Sequence, residues 1–369
     1  MPYLRLSVQP KNIKPNFRLL GFLVGAIFGF LLVFSFSKYQ NQNNNSSKES
    51  TVLSYSDKNL TANDNPKDLK TLGVLLLGYG GPGHEGGFLT DAIQVILIDF
   101  EKAKVNLISV PRDLWVKLPS TRETKINGAF SSLAGKSEDL VNVGGKAMKD
   151  YLGKLLGLKL DYFLAIDFVG FQRAIGINLK GIEVEVGQTL DDPWFPIQGR
   201  ELDTCGVTAS EVAELTAKYS GFELERQFPC RYEHLYFEKG IVNMQGGEAL
   251  KYVRSRHGSS AGDLERGIRQ QEVLTAIKKR IFNLQTLEDL PAFFKDVSVH
   301  VKTDINSDIV NYLLPLVQKA QDFKINNINL STANVLTTGN IANTQIIRPK
   351  AGLYNWTGIQ NFISKEISN

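Results

Sequence analysis

The chain has 369 residues, 43% hydrophobic and 22% charged, enough apolar material for one large domain or two ordinary ones. Its formal charge is +4, but residues 1–38 hold five basic side chains and no acid, which leaves the remainder near −1. Such a remainder excludes the broad basic surface on which nucleic-acid binding relies.

In chain order, the first expected element is a membrane span. "LLGFLVGAIFGFLLVFSFS", Leu19 to Ser37, is uncharged and close to the ~20 residues that cross a bilayer. Arg5, Lys11, Lys14 and Arg18 precede it, and the first acid is Glu49. The asymmetry predicts a cytoplasmic tail at 1–18, a retained anchor at 19–37 and an extracytoplasmic remainder at the plasma membrane. Gly21, Gly25 and Gly29 could let two such helices pack closely, and the oligomeric state stays open. Residues 38–71 read as a flexible linker rich in Asn, Ser and Lys.

Order is expected from Leu72. "TLGVLLLGYG", "AIQVILIDF" and "KVNLISVP" read as buried strands, "DLVNVGGKAMKDYLGKLLG" as a helix, and "DYFLAIDF" and "GIEVEV" as further strands. After Gly246 a helix, "GEALKYV", leads into "RSRHGSSAG", and a longer helix runs from about Gly262 to Asn283. This alternation predicts an α/β domain at 72–283, a mixed central sheet flanked by helices. Residues 188–240, which contain both cysteines, read as an insertion or lid. Two well-separated cysteines outside the membrane point to a Cys205–Cys230 disulfide rather than a CxxC-type metal site. Residues 284–369 either complete the domain or form a small appended unit.

The chemistry concentrates in "YVRSRHGSSAGDLERGIRQQ". On the long helix, Asp263, Arg266 and Gln270 share one face, continued by Leu274, Ile277 and Ile281. A stripe charged at one end and apolar at the other suits a helix whose first turns enter a cleft and whose later turns enter the core. Arg254 and Arg256 project to one side if their segment is extended, and such forks suit a pyrophosphate. Arg112 and Asp113 follow directly after a strand, where open α/β sheets place ligand groups. "GYGGPGHEGGFLTD" is a glycine-rich loop without the Lys-Ser/Thr of a P-loop; its His84 and Glu85, with Asp91, could bind a metal. "KINGAF" adds Lys125 and Asn127 as donors.

The ordered series "LLLGYGG…LTDA", "ISVPRDLWV", "KINGAF", "DYFLAIDFVGF" and "GGEALKYVRSRHGSSAGDLERGIRQQ" resembles the LytR-CpsA-Psr family of bacterial cell-wall proteins over residues 72–283. The resemblance implies a phosphotransferase that moves a glycopolymer from a polyprenyl-pyrophosphate carrier to a peptidoglycan sugar hydroxyl. It implies that Arg112, Arg254, Arg256, Arg266 and Arg269, with Gln270 or Gln271 and Lys125 in support, grip the pyrophosphate, Arg112, Arg254 and Arg256 also acting in catalysis. Asp91 matches a magnesium position, Asp113 orients the metal or accepts the hydroxyl proton, and the lipid lies in an apolar tunnel. One departure stands out. Gly78-Tyr79-Gly80-Gly81 occupies the turn where the family usually carries an Asp, so either Glu85 supplies the second acidic ligand for Mg2+ or a similar divalent ion, or His84 and Glu85 are exposed loop residues and Asp91 binds the ion only with substrate present. A pyrophosphate-lipid binding or hydrolysing protein and a membrane-tethered regulatory module are the competing readings. The eighteen residues before the span are too few for a helix-turn-helix.

Overall fold

The computed structural model describes residues 70–84, 86–256, 263–283, 299–305, 309, 323–342 and 344–369. The expected anchor at 19–37, its cytoplasmic tail, most of the linker and Glu85 lie outside them. Among the described residues no helix is long and apolar enough to cross a membrane.

Five strands in the first half are β1 (Thr71–Tyr79), β2 (Thr90–Asp99), β3 (Lys104–Ser109), β4 (Trp115–Lys117) and β5 (Glu123–Lys125). Helices α1 (Ala129–Ala134) and α2 (Leu140–Leu156) follow, then β6 (Tyr162–Asp167), α3 (Phe168–Arg173), β7 (Ile182–Val186) and β8 (Leu190–Pro196). Next come α4 (Ala209–Lys218), α5 (Gly221–Glu225), β9 (Tyr232–Phe237), β10 (Gly240–Met244), α6 (Gly246–Arg254) and α7 (Asp263–Asn283). The described chain ends with β11 (Val301–Thr303), β12 (Lys324–Asn329), β13 (Leu336–Ile341), β14 (Thr344–Pro349) and α8 (Thr357–Ser368).

The central sheet has the order β11-β6-β1-β2-β3-β12. It is mixed: β1–β2 and β2–β3 are antiparallel hairpin neighbours, whereas β1–β6 and β3–β12 are parallel. The period of two along β1 sets the layers. Leu72 and Val74 enter one core with Leu164, Tyr252 of α6 and Val273 of α7. Leu75, Leu77 and Tyr79 enter the other with Met148 and Leu152 of α2 and Ile359 of α8. Both outer strands, β11 and β12, come from beyond residue 284. Asp304 beside β11 ties that part in, accepting from the Phe163 amide at 2.8 Å and pairing with Lys149 at 2.7 Å.

Helix α2 forms despite its glycines because one of them is a packing device. A Cβ at Gly145 would lie 2.2 Å from the Phe163 ring, so the glycine lets the helix settle on β6. Asp139 caps its start by accepting from the Asn142 amide, and Gly157 ends it in the left-handed region at φ 68°. Residues 188–240 form a separate wall: the β8–β9 pair, with α4 and α5 between its strands. The structure joins Cys205 to Cys230 across that wall. Replacing both by serine is expected to destabilise the wall by about 3.5 kcal/mol in the chain-entropy account of disulfides, measured by denaturant unfolding followed through Trp194 fluorescence.

Candidate functional site: an arginine-lined cleft with an apolar wall

The strand ends on the α6–α7 side of the sheet open into a cleft of about 430 Å3, whose polar lining includes Asp91, Arg112, Arg254, Arg256, Arg266 and Gln270. The remaining lining is largely apolar and includes Leu76, Ile166, Phe168, Phe171, Phe195, Phe222 and Leu274. A second cleft of about 480 Å3 lies between β7, β10 and α7, where Lys180, Lys279 and Arg280 face Glu183 and Glu185. Volume does not separate the two clefts, but chemistry does: only the first gathers arginines against an apolar wall.

Each arginine is placed by its own element. Arg112 follows Pro111 at the end of the β3 segment, and its Nη1 pairs with the Asp91 carboxylate at the start of β2. Asp113 lies behind it, 3.8 Å from Arg112 Nε and 2.7 Å from Lys125 Nζ. Asp113 and Lys125 therefore sit beside the cleft rather than in its lining, as a charged strut under Arg112. Arg254 is the last residue of α6, not part of an extended strand. Gln245 and Glu248 form the capping box that starts this helix, and the arginine at its end meets the negative pole of the helix dipole. Ser255 then turns extended, at φ −51° and ψ 140°, and delivers Arg256 to the same cleft.

Arg254 stacks over the Phe168 ring, 4.4 Å from its centroid. Burial pulls its pKa down from the ordinary guanidinium value; Asp91 opposes that shift and Arg112 adds to it. On α7 the expected face is the observed one, since Arg266, Gln270 and Leu274 all line the cleft. Gln270 Oε1 accepts from Gln94 Nε2 at 2.9 Å, which turns its own Nε2 toward the Asp91 carbonyl, 3.4 Å away. Gln271 instead donates to Leu107 O at 2.9 Å and accepts from Asn329, tying α7 to the sheet.

Arg269 departs from the expected role. It is 5% exposed and absent from the cleft lining. Its Nε donates to Tyr252 O at 2.9 Å and its Nη2 to Ser255 O at 2.6 Å. The physical reason is the helix period: Arg269 lies 60° around α7 from Arg266, on the side where the end of α6 returns. Ser255 is held further by its hydroxyl, 2.6 Å from buried Asp192. Arg269 and Asp192 thus position the two arginines that flank Ser255.

Several lining residues had no clear signal in the sequence. Asp167, 8% exposed at the end of β6, accepts from the Gly170 amide at 2.7 Å and lies 3.0 Å from His300 Nδ1. Its cue was available, an acid closing a strand and capping the next helix. The wall at 188–240 contributes Phe195, Phe222, Glu225 and Tyr232. Tyr232 donates to Glu225 at 2.8 Å, and burial with that bond pushes its hydroxyl up to about 12.

The glycine turn is closely packed where an acid was expected. A Cβ at Gly80 would lie 3.1 Å from His84 Cβ and 3.2 Å from Gly87 Cα, so a side chain there would crowd the loop, which would have to give by a few tenths of an ångström. His84 turns toward the 188–240 wall, its ring edge-on to Phe168 and 3.5 Å from Gln198. Asp91 and Asp167 are oxygen donors of the type that hard divalent ions take, with Asp91 Oδ1 engaged by Arg112.

The fold and this cleft define an α/β protein with a mixed central sheet and a cleft that brings arginines together with aromatic and aliphatic side chains. The LytR_cpsA_psr family model matches residues 33–355, and the chain belongs to that family. It is 27% identical over 235 residues to "Regulatory protein MsrR" of Staphylococcus aureus (strain Mu50 / ATCC 700699), covering 63% of this chain and 56% of that protein. It is 26% identical over 242 residues to "Polyisoprenyl-teichoic acid--peptidoglycan teichoic acid transferase TagV" of Bacillus subtilis (strain 168), covering 64% of this chain and 50% of that one. The chain thus matches about half the length of these curated relatives. An Enterococcus faecalis protein described as a transcriptional regulator shares the fold at a TM-score of 0.56 and 18% identity, covering 82% of this chain and 90% of that structure.

Proposed function

We propose that the protein is a membrane-anchored phosphotransferase that moves a glycopolymer from a polyprenyl-pyrophosphate carrier to a sugar hydroxyl of peptidoglycan, outside the cytoplasmic membrane. One observation carries this reading: a single cleft joins four arginines to an apolar wall, the two chemistries of a pyrophosphate-linked lipid. TagV, by its name, transfers teichoic acid from a polyisoprenyl carrier, which supports the same class of reaction.

In this mechanism the acceptor oxygen attacks the phosphorus that carries the glycopolymer. A new P–O bond forms to the acceptor, the bond to the bridging oxygen breaks, and polyprenyl monophosphate departs with the electron pair. Such transfer needs charge neutralisation and alignment more than covalent help from the protein. Arg254, Arg256 and Arg266 grip the non-bridging oxygens, and Gln270 adds a donor. Arg112 holds the reacting phosphate against Asp91. Asp113, on the Lys125 side of Arg112, receives the hydroxyl proton. Asp91 would hold a divalent ion, which would supply further charge neutralisation in the cleft. The expected second acid at Glu85 lies outside the described residues; Asp167 and Glu225 are further carboxylates of the cleft lining.

The test is reconstitution of the full chain in detergent with a polyprenyl-pyrophosphate-linked oligosaccharide and uncross-linked peptidoglycan strands. Mass spectrometry is expected to show a phosphodiester joining oligosaccharide to strand. Release of the oligosaccharide phosphate to water alone would instead establish the hydrolase, and an inert donor would favour the regulatory reading.

A further inference from the structure

The aromatic platform under Arg254 is anchored by a residue from much later in the chain. Phe168, whose ring centroid lies 4.4 Å from the Arg254 guanidinium, opens α3 directly after β6. The first amides of a helix have no partner inside it, so the placement of this turn depends on its cap and its neighbours. Asp167 is the cap, its Oδ1 accepting from the Gly170 amide at 2.7 Å. Its other oxygen, Oδ2, lies 3.0 Å from Nδ1 of His300, 133 residues away in sequence. A carboxylate accepts and cannot donate, so Nδ1 carries the proton of this bond.

His300 is itself fixed by the sheet. It stands just before β11, which runs antiparallel to β6 with Val301 opposite Ile166. Its carbonyl accepts from the Asp167 amide at 3.2 Å, so main chain and side chain of one residue both close on Asp167. The packing leaves little slack. A Cβ at Gly170 would lie 2.4 Å from His300 Cβ, and glycine is what lets the histidine come so near the first turn of α3. The glycine-rich loop closes on the same acid, since a Cβ at Gly81 would lie 3.0 Å from Asp167 Cβ. The Asp167 and His300 side chains are 11% and 24% exposed, so water competes little for their bond. His300 does not line the cleft, whereas Asp167, Phe168 and Arg254 do.

We propose that His300 is a positioning residue of the arginine cleft: by bonding Asp167 it fixes the first turn of α3, and with it the Phe168 face on which Arg254 is set. Its influence on a bound anion passes through Arg254. An arginine that loses its platform keeps its charge but gains rotamer freedom, and ordering it again on binding costs affinity. A general contribution to folding would act differently, weakening the cleft whether or not Arg254 is present. The proposal rests on the diphosphate reading of the cleft for its effect on binding, while the fixing of α3 is measurable with no ligand.

The first measurement is hydrogen exchange, read by mass spectrometry on the full chain in detergent without ligand. His300→Ala is expected to speed exchange over residues 168–173 by about tenfold or more, as the loss of a bond that closes a local turn should. His300→Asn, whose amide can donate to Asp167, is expected to restore the wild-type rate. His300→Leu, which keeps bulk but cannot donate, is expected to follow the alanine variant, and it takes that variant's place if the alanine chain does not fold. The second measurement is affinity for geranyl pyrophosphate by calorimetry. His300→Ala is expected to weaken binding about tenfold when Arg254 is present, and by no more than about twofold when Arg254 is already alanine. Unchanged exchange over 168–173, no recovery in His300→Asn, or an equal loss of affinity in both backgrounds would overturn the positioning role. If the wild-type chain binds no geranyl pyrophosphate while the exchange results hold, the diphosphate reading of the cleft fails and the anchoring of α3 by His300 stands.

Discussion

Replacing Arg254 by alanine is expected to lower glycopolymer transfer about a hundredfold or more, the usual scale for losing one charged donor at a preorganised anion site. Arg254 has the largest expected effect among the cleft arginines because of where it lies. It is packed on Phe168 within electrostatic reach of the Asp91–Arg112 pair, and burial is the main cause of its lowered pKa. Poor solvation strengthens its attraction to a diphosphate relative to the same charge in water. Lysine is expected to rescue poorly, for two reasons. A point-charge ammonium cannot make the two-pronged contact or the planar stack, and it gives up its proton more readily when buried. The measurement is initial transfer rate against donor concentration for wild type, Arg254→Ala and Arg254→Lys, with thermal melting to confirm folding. Near-normal transfer by the alanine variant would falsify the pyrophosphate-clamp assignment.

Periodicity and chain-local chemistry were legible in the sequence; returns of the chain were not. The period of two in Leu72–Tyr79 sorts side chains between the two cores as the structure does. The helical face Arg266, Gln270, Leu274 reaches the cleft as its 100° spacing requires. The missing acid in the glycine turn was visible, but the crowding beside Gly80 was not, because His84 and Gly87 approach it only once the loop folds back. Asp113 and Lys125 were each marked as polar candidates, yet their pairing depends on how the β4–β5 hairpin places Lys125 opposite Trp115. The aromatic side of the cleft was hidden more deeply. Phe195 and Tyr232 reach it from the paired strands β8 and β9 and Phe222 from the short helix between them, a convergence that exists only once the 188–240 segment folds back on itself.

Arg269 shows the same limit, and it supports the second large expected effect. Spacing alone groups it with Arg266, but its guanidinium is committed to two backbone carbonyls at the end of α6. Hydrogen bonds from a charged donor contribute about 1.5–3 kcal/mol each, and removing the donor leaves buried carbonyls without that partner. Arg269→Ala is therefore expected to destabilise the fold by about 3–5 kcal/mol. It should also abolish tight donor binding, because Ser255 would be left with Asp192 as its remaining side-chain anchor and the flanking Arg254 and Arg256 would lose their fixed spacing. Arg256, which is exposed at the cleft, provides the contrast. Arg256→Ala is expected to weaken donor binding while moving stability by no more than about 0.5 kcal/mol. Denaturant unfolding and donor-lipid binding measured on the two variants distinguish the roles. If Arg269→Ala unfolded at the wild-type midpoint and lost only donor affinity, Arg269 would be a ligand after all, and the carbonyl-holding role would be wrong.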